Sequence, residues 1–154
     1  MKSIIEDTRQ KPNNHVKKHA DFTDIFHTRI IRSKLVVGDY ALPPKRSIDT
    51  KQDISEIAAN MCGSSIERKR FTRECKIAKD IGCQLFVLIE DKRFHSIDDL
   101  YGRDVWILSK PKRKIQGDQL AVAMLMMSER YGVEFLFCDP DDSAEVIYNL
   151  LMEE

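Results

Sequence analysis

Asp49-Thr50-Lys51 sets an acid and a base two positions apart in a β-rich run. Side chains alternate along a strand, so Asp49 and Lys51 project from one face while Ile48 and Thr50 point to the other. A second carboxylate, Asp39, follows Gly38 at the end of an apolar run, where a backbone bend can aim it at the same spot. This set suits a divalent metal. Hard cations such as Mg²⁺ take carboxylate oxygens and keep water ligands for a phosphate substrate, and a lysine steadies the attacking water or the developing negative charge.

These residues need elements to hold them. The two β-rich runs flank a Pro43-Pro44 turn, and strands are expected across residues 28–42 and 47–51, after a first strand opened by Ser3-Ile4-Ile5 and a short helix at 21–27. Asp53 with Glu56 three residues later reads as a capping box for a helix whose buried stripe is Ile54, Ile57, Ala58 and Met61. A basic helix follows over 67–79, with Phe71, Cys75 and Ala78 on its apolar side and Gly82 after its end. Residues 84–89, nearly all apolar, have the character of a central strand covered on both faces. Residues 94–106 form a weak region with one short helix at best, and 110–114 a basic loop. Asp118 is expected to cap a helix striped by Leu120, Met124, Met127 and Tyr131 and ended by Gly132. A last strand at 133–138 leads to Asp139-Pro140 and a final helix with Ala144, Ile147, Leu150 and Leu151 apolar. The fold class expected is α/β, a mixed central sheet flanked by helices on both faces.

Composition is consistent with one domain over residues 1–154. A chain of 154 residues with 42% hydrophobic and 32% charged residues can bury a real core, and no run of about 18 apolar residues exists to cross a membrane. The first residues are too soon acidic for a signal peptide. Cys62, Cys75, Cys83 and Cys138 form no Cys-x-x-Cys pair, which argues for a reduced, cytoplasmic protein without structural zinc. His15, His19 and His27 lack a fourth ligand nearby and are read as surface histidines.

The net charge of zero hides an uneven distribution. Residues 67–79 hold Arg68, Lys69, Arg70, Arg73, Lys76 and Lys79 against two acids, and residues 110–114 hold four cations. Both segments are candidate phosphate contacts; the plainer alternative makes Lys69, Arg73 and Lys76 the wet face of a helix.

Gly38-Asp39-Tyr40, the Asp49-x-Lys51 pair, Arg70-Phe71-x-Arg73-Glu74 and Val87-Leu88-Ile89-Glu90 together resemble the XPF-type nuclease domain of the PD-(D/E)xK superfamily. That family carries Gly-Asp followed by Glu-Arg-Lys-x-x-x-Asp, and Asp7-Thr8-Arg9-Gln10 is similar to its first-strand Asp-x-Arg-Glu signature. The chain departs from the pattern at Thr50, where the family has arginine, and at Ser55, where it has aspartate. The resemblance implies a restriction-endonuclease-like fold and a Mg²⁺- or Mn²⁺-dependent DNA endonuclease acting on branched or flapped DNA. On it, Asp39 and Asp49 are metal ligands, with Asp7 a further carboxylate, and Lys51 handles the water or the developing charge. Arg9, Arg70 and Arg73 hold phosphates, with Lys69 and Lys76 as further DNA contacts.

The family's helix-hairpin-helix domain is not among these residues, so the expected partners are DNA and either a second copy or a helix-hairpin-helix protein, with no membrane. A homodimer through the last two helices is implied by the family and by apolar surplus at Val146, Tyr148 and Met152 and at Val122, Leu125 and Met126. A nucleoid location is expected in a bacterial or viral setting and a nuclear one in a eukaryote. Two alternatives stand: a non-catalytic DNA-binding or scaffold module of the same fold, and a nuclease of another PD-(D/E)xK branch.

Overall fold

The computed structural model describes residues 2–11, 13–42 and 45–153. In chain order its elements are β1 (Lys2–Asp7), α1 (Val16–Asp24), β2 (Thr28–Ser33), β3 (Tyr40–Leu42), β4 (Arg46–Lys51), α2 (Ile54–Cys62) and α3 (Ser65–Asp80). After β5 (Gln84–Ile89) come β6 (Asp104–Ile107), β7 (Arg113–Gln116), α4 (Gly117–Tyr131), β8 (Glu134–Phe137) and α5 (Ser143–Met152), with 3-10 turns at Ile97–Leu100 and Pro140–Asp142. The six-stranded sheet runs β2-β1-β3-β4-β5-β8, and β6 and β7 form a small antiparallel pair apart from it. β1 is parallel to β2 and antiparallel to β3, β3 and β4 form a hairpin, and β4, β5 and β8 run parallel. The sheet is therefore mixed, as expected. The Pro43-Pro44 turn lies outside the described residues.

Alternation along β5 builds two cores at once. Leu85, Val87 and Ile89 join α2, α3 and α4 in one cluster, with Ile57, Phe71, Cys75, Leu120 and Met124. Phe86 and Leu88 join α1 and α5 in the other, with Phe22, Tyr40, Ile48 and Ile147. A strand that must be apolar on both faces loses the alternating pattern, which is why residues 84–89 read as a continuous run. Asp53 caps α2 through the Glu56 amide at 3.0 Å, and α3 opens with a full capping box between Ser64 and Glu67.

Four local expectations change. The stretch 28–42 splits into β2 and β3, because Gly38 takes φ +81 and the connecting segment tucks Leu35 and Val37 into the interior. The first helix runs from Val16 to Asp24, starting five residues and ending three residues before the expected 21–27, since its packing rests on Phe22 beneath a polar surface. The basic loop is the turn and second strand of a hairpin, anchored by buried Val105, Ile107 and Ile115. Asp118 does not cap α4; it lies in the first turn and accepts from the Gly102 amide at 2.9 Å.

Candidate active site

Asp39 is aimed by its glycine. A Cβ on Gly38 would meet the Ser47 hydroxyl at 2.1 Å, and its positive φ is one that L side chains rarely adopt. The corner is then tied on three sides. The Gly38 amide donates to Glu74 Oε1 at 3.2 Å, the Asp39 amide to the Ile48 carbonyl at 2.7 Å, and the Asp7 amide to the Asp39 carbonyl at 2.7 Å. The Asp39 carboxylate accepts from both the amide and the hydroxyl of Thr50 at 2.8 Å, and from the Gln10 amide group. Thr50 thus occupies the arginine position of the XPF-type motif with a neutral double donor to the first acid.

Asp49 and Lys51 share the face of β4 that meets α2 and α3, as a period of two requires. Asp49 is buried, and Lys51 Nζ lies 2.9 Å from its Oδ2. That ion pair is the contact Oδ2 makes within the buried site. The Lys51 ammonium also sits 5.6 Å from the centre of the Phe71 ring.

The electrostatics mark a site where acids crowd. Burial pushes the Asp49 carboxyl up to about 6 against the pull of Lys51, and Asp39 adds to the rise. Burial also raises Asp39, opposed by the two bonds from Thr50. Glu74, on α3, is raised by burial and by Asp49. Burial works against the Lys51 ammonium, but Asp49, then Glu56 and Glu74, outweigh it and hold its pKa above the usual lysine range. Enclosed carboxyls titrating high beside a buried cation are the signature of a functional cluster.

A divalent ion fits this chemistry. Asp39, Asp49 and Glu74 are hard oxygen donors, and Asp49 Oδ2 is buried with the Lys51 ammonium beside it. Among the described residues, no three acid, histidine or cysteine side chains already converge on one ion position.

The remaining candidates fall into place around this centre. Asp7 is buried, with Oδ1 taken by the Leu35 amide at 3.0 Å and Oδ2 by Arg9 Nε at 2.5 Å. Arg9 also donates to the Leu35 carbonyl at 3.0 Å, and it lies near enough to Glu74 to oppose that residue's shift. Asp7 and Arg9 therefore clamp the segment that carries Asp39. Arg70 is exposed one helical turn before Glu74, while Lys69, Arg73 and Lys76 line an open groove on the solvent side of α3. Ser55 accepts from the Leu108 amide at 3.0 Å and so anchors the hairpin. On the α1 side of Thr50 a polar cleft of about 370 Å³ opens, lined by Gln10, Gln52, Glu56, Lys18 and Glu90 among others.

Glu74 and Gln10 are the site residues that sequence reasoning missed. Glu74 interrupts a basic helix beside buried Cys75, a carboxylate placed against the core margin, which is the signal that could have found it. Two of the histidines differ from the surface placement expected, since His15 and His19 flank the buried Glu6 carboxylate and His15 stacks on Tyr40, whereas His27 is exposed as expected.

No protein-family model matches the sequence, and no curated protein is similar to it. Solved structures are. XPF from Aeropyrum pernix superposes with a TM-score of 0.66 over 97% of this chain at 17% identity. The fold is XPF-type. A second structure, XPF from the same organism in complex with DNA, gives a TM-score of 0.64 over 98% of this chain at 18% identity. The present chain covers 63% and 64% of those two chains. At such identity the likeness is one of fold alone.

Proposed function

We propose that this chain is a Mg²⁺- or Mn²⁺-dependent DNA endonuclease, with branched or flapped DNA as its substrate. The observation that carries the reading is the approach of Asp39 to the buried Asp49–Lys51 pair, with Glu74 of the basic helix beside them. Asp39 and Asp49 would hold the ion with Glu74 as a further carboxylate nearby, and Asp7 supports them through the Asp39 backbone. When bound, a divalent ion lowers the pKa of a water molecule and offsets charge on the phosphate. Thr50 and Gln10 fix the Asp39 carboxylate. Lys51, kept protonated by Asp49, orients the attacking water or takes up the charge that develops on phosphorus oxygens. Arg9 and Arg70 flank the centre and Lys69, Arg73 and Lys76 extend the basic surface along α3, where phosphates collect. The DNA-bound XPF structure lends support to DNA as the ligand, and the chain acts where DNA is, in a nucleoid or a nucleus.

A homodimer accompanies this reading. The surplus on α5 is largely used within the chain, because Tyr148 stacks on Phe26 at 4.9 Å and Val146 and Met152 pack against the second core. Val122, Leu125 and Met126 on α4 are exposed, and they offer the patch for a second copy.

The test is incubation of labelled duplex, flap, fork and four-way junction DNA with Mg²⁺, Mn²⁺ or EDTA. Asp49→Asn should abolish cleavage and leave DNA binding nearly intact, and Lys51→Met should slow cleavage by about a hundredfold or more. Cleavage by Asp49→Asn at the wild-type rate would sink the assignment. Binding of all four DNAs without cleavage under any metal would favour the scaffold alternative.

A further inference from the structure

We propose that the outward face of the β6–β7 hairpin is a stacking platform for an unpaired base of the DNA, built around Trp106; the proposal rests on the reading of DNA as the substrate. Trp106 is the chain's single tryptophan. Its neighbours Val105 and Ile107 are 1% and 2% exposed, and Ile115 across the hairpin is 6% exposed, so these three supply the core contact. Alternation turns Trp106 the other way, and it stands 54% exposed. The indole contributes little to holding the hairpin down.

Its surroundings select the ligand. Lys114 lies directly opposite Trp106 in the hairpin register, and Lys110 and Lys112 occupy the turn beside it. Lys114 meets Asp104 at 3.4 Å, but both side chains are largely exposed, and such a pair is easily given up for a phosphate. An aromatic face among cations is what single-stranded nucleic acid requires, the ring for the base and the ammonium groups for the backbone. A protein partner would need a wider apolar patch than Trp106 with Leu108, the exposed apolar residue two positions on. Duplex DNA keeps its base faces stacked, whereas the unpaired arm of a flap or fork presents them.

The hairpin is also fixed relative to the catalytic centre. The Leu108 amide donates to Ser55 Oγ in the first turn of α2, four residues after Lys51. The Arg113 guanidinium donates to the Cys62 carbonyl in the last turn of the same helix. α2 has nine residues and so spans about 13 Å. The hairpin is thus held along a rigid rod, with Leu108, two residues from Trp106, tied at the end next to the site, and a base on Trp106 would set where the strand crosses Asp49 and Lys51.

The single indole is its own probe. Wild-type protein in EDTA is titrated with a short oligodeoxythymidylate and with duplex, following tryptophan emission and, separately, the anisotropy of a fluorescein-labelled copy of each DNA. Emission should be quenched by the single strand in step with its anisotropy and much less by duplex. Trp106→Ala should weaken single-strand binding about 5- to 150-fold while duplex binding is unchanged, and Trp106→Phe should retain most of the affinity. Unchanged emission at saturating anisotropy overturns the platform, as does an equal loss on duplex and single strand. Flap cleavage by wild type with silent Trp106 emission removes this inference alone; failure to bind any DNA removes the nuclease reading with it.

Discussion

Metal binding should stabilise this protein in a pH-dependent way whose sign follows from Asp49. Its carboxyl titrates near 6 in the folded chain, above its unfolded value. The metal-free fold therefore binds more protons than the unfolded chain between about pH 4 and 6, and loses stability as pH rises through that window, by at most about 3 kcal/mol for a shift of this size. A cation takes only the ionised form, so its affinity rises over the same window and levels above it. At about a hundredfold excess of Mn²⁺ over Kd near neutral pH, the gain is about 2.7 kcal/mol, or 5–10 °C in Tm for a domain of this length. At about pH 5 the proton competes about tenfold, and the gain falls to about 1.4 kcal/mol, half the shift. Thermal melts with Mn²⁺ and with EDTA across this range measure both numbers, and Asp49→Asn should show neither shift nor pH dependence. A shift of equal size at both pH values, or one that survives in Asp49→Asn, would refute the assignment of Asp49 as a ligand that titrates high.

Three further outcomes follow from the same geometry. Arg70→Ala and Arg73→Ala should each weaken binding to all DNA sequences alike and shallow the log-log salt dependence by about one, and an unchanged slope would make both residues plain solvent-facing charges. Gly38→Ala should cost about 2–4 kcal/mol in urea unfolding, from the positive φ and from displacing the Ser47 hydroxyl off its bond to the Val37 carbonyl; a loss below about 0.5 kcal/mol would show that the corner can relax. Light scattering should give twice the monomer mass, reduced to the monomer by Leu125→Glu on α4, and a wild-type monomer at micromolar concentration would reserve that patch for another protein.

The pairing of Asp49 with Lys51 was the most legible part of the site, because a two-residue spacing on a strand leaves them no choice but one face. The central strand and the basic helix were equally plain, since β5 is apolar on both sides and α3 keeps Phe71, Cys75 and Ala78 in register. The β6–β7 hairpin was not, because only Val105, Ile107 and Ile115 face inward and charged turn residues dilute that signal. Glu74 was hidden for a related reason: among six cations its role depends on the tertiary approach of α3 to β4, which no local spacing encodes. The apolar width of Tyr148 also looked like free surface, since its cover, Phe26, lies more than a hundred residues earlier.

Glu90 and Asp91 follow β5 as adjacent acids, and the chain uses each on a different side of the sheet. Glu90 receives Lys18 of α1 at 2.5 Å and the Ser143 hydroxyl of α5 at 2.6 Å, while Asp91 receives the Ile54 amide at the start of α2 at 3.0 Å and pairs with Arg93. One peptide step therefore switches the wiring between two helical layers. Inserting a single residue after Ile89 would put the new residue where Glu90 stands and Glu90 where Asp91 stands, taking the carboxylate from Lys18 and Ser143 and moving Asp91 away from the Ile54 amide. The junction is thus fixed in length by its two sets of partners, and insertions in natural variants should avoid this point.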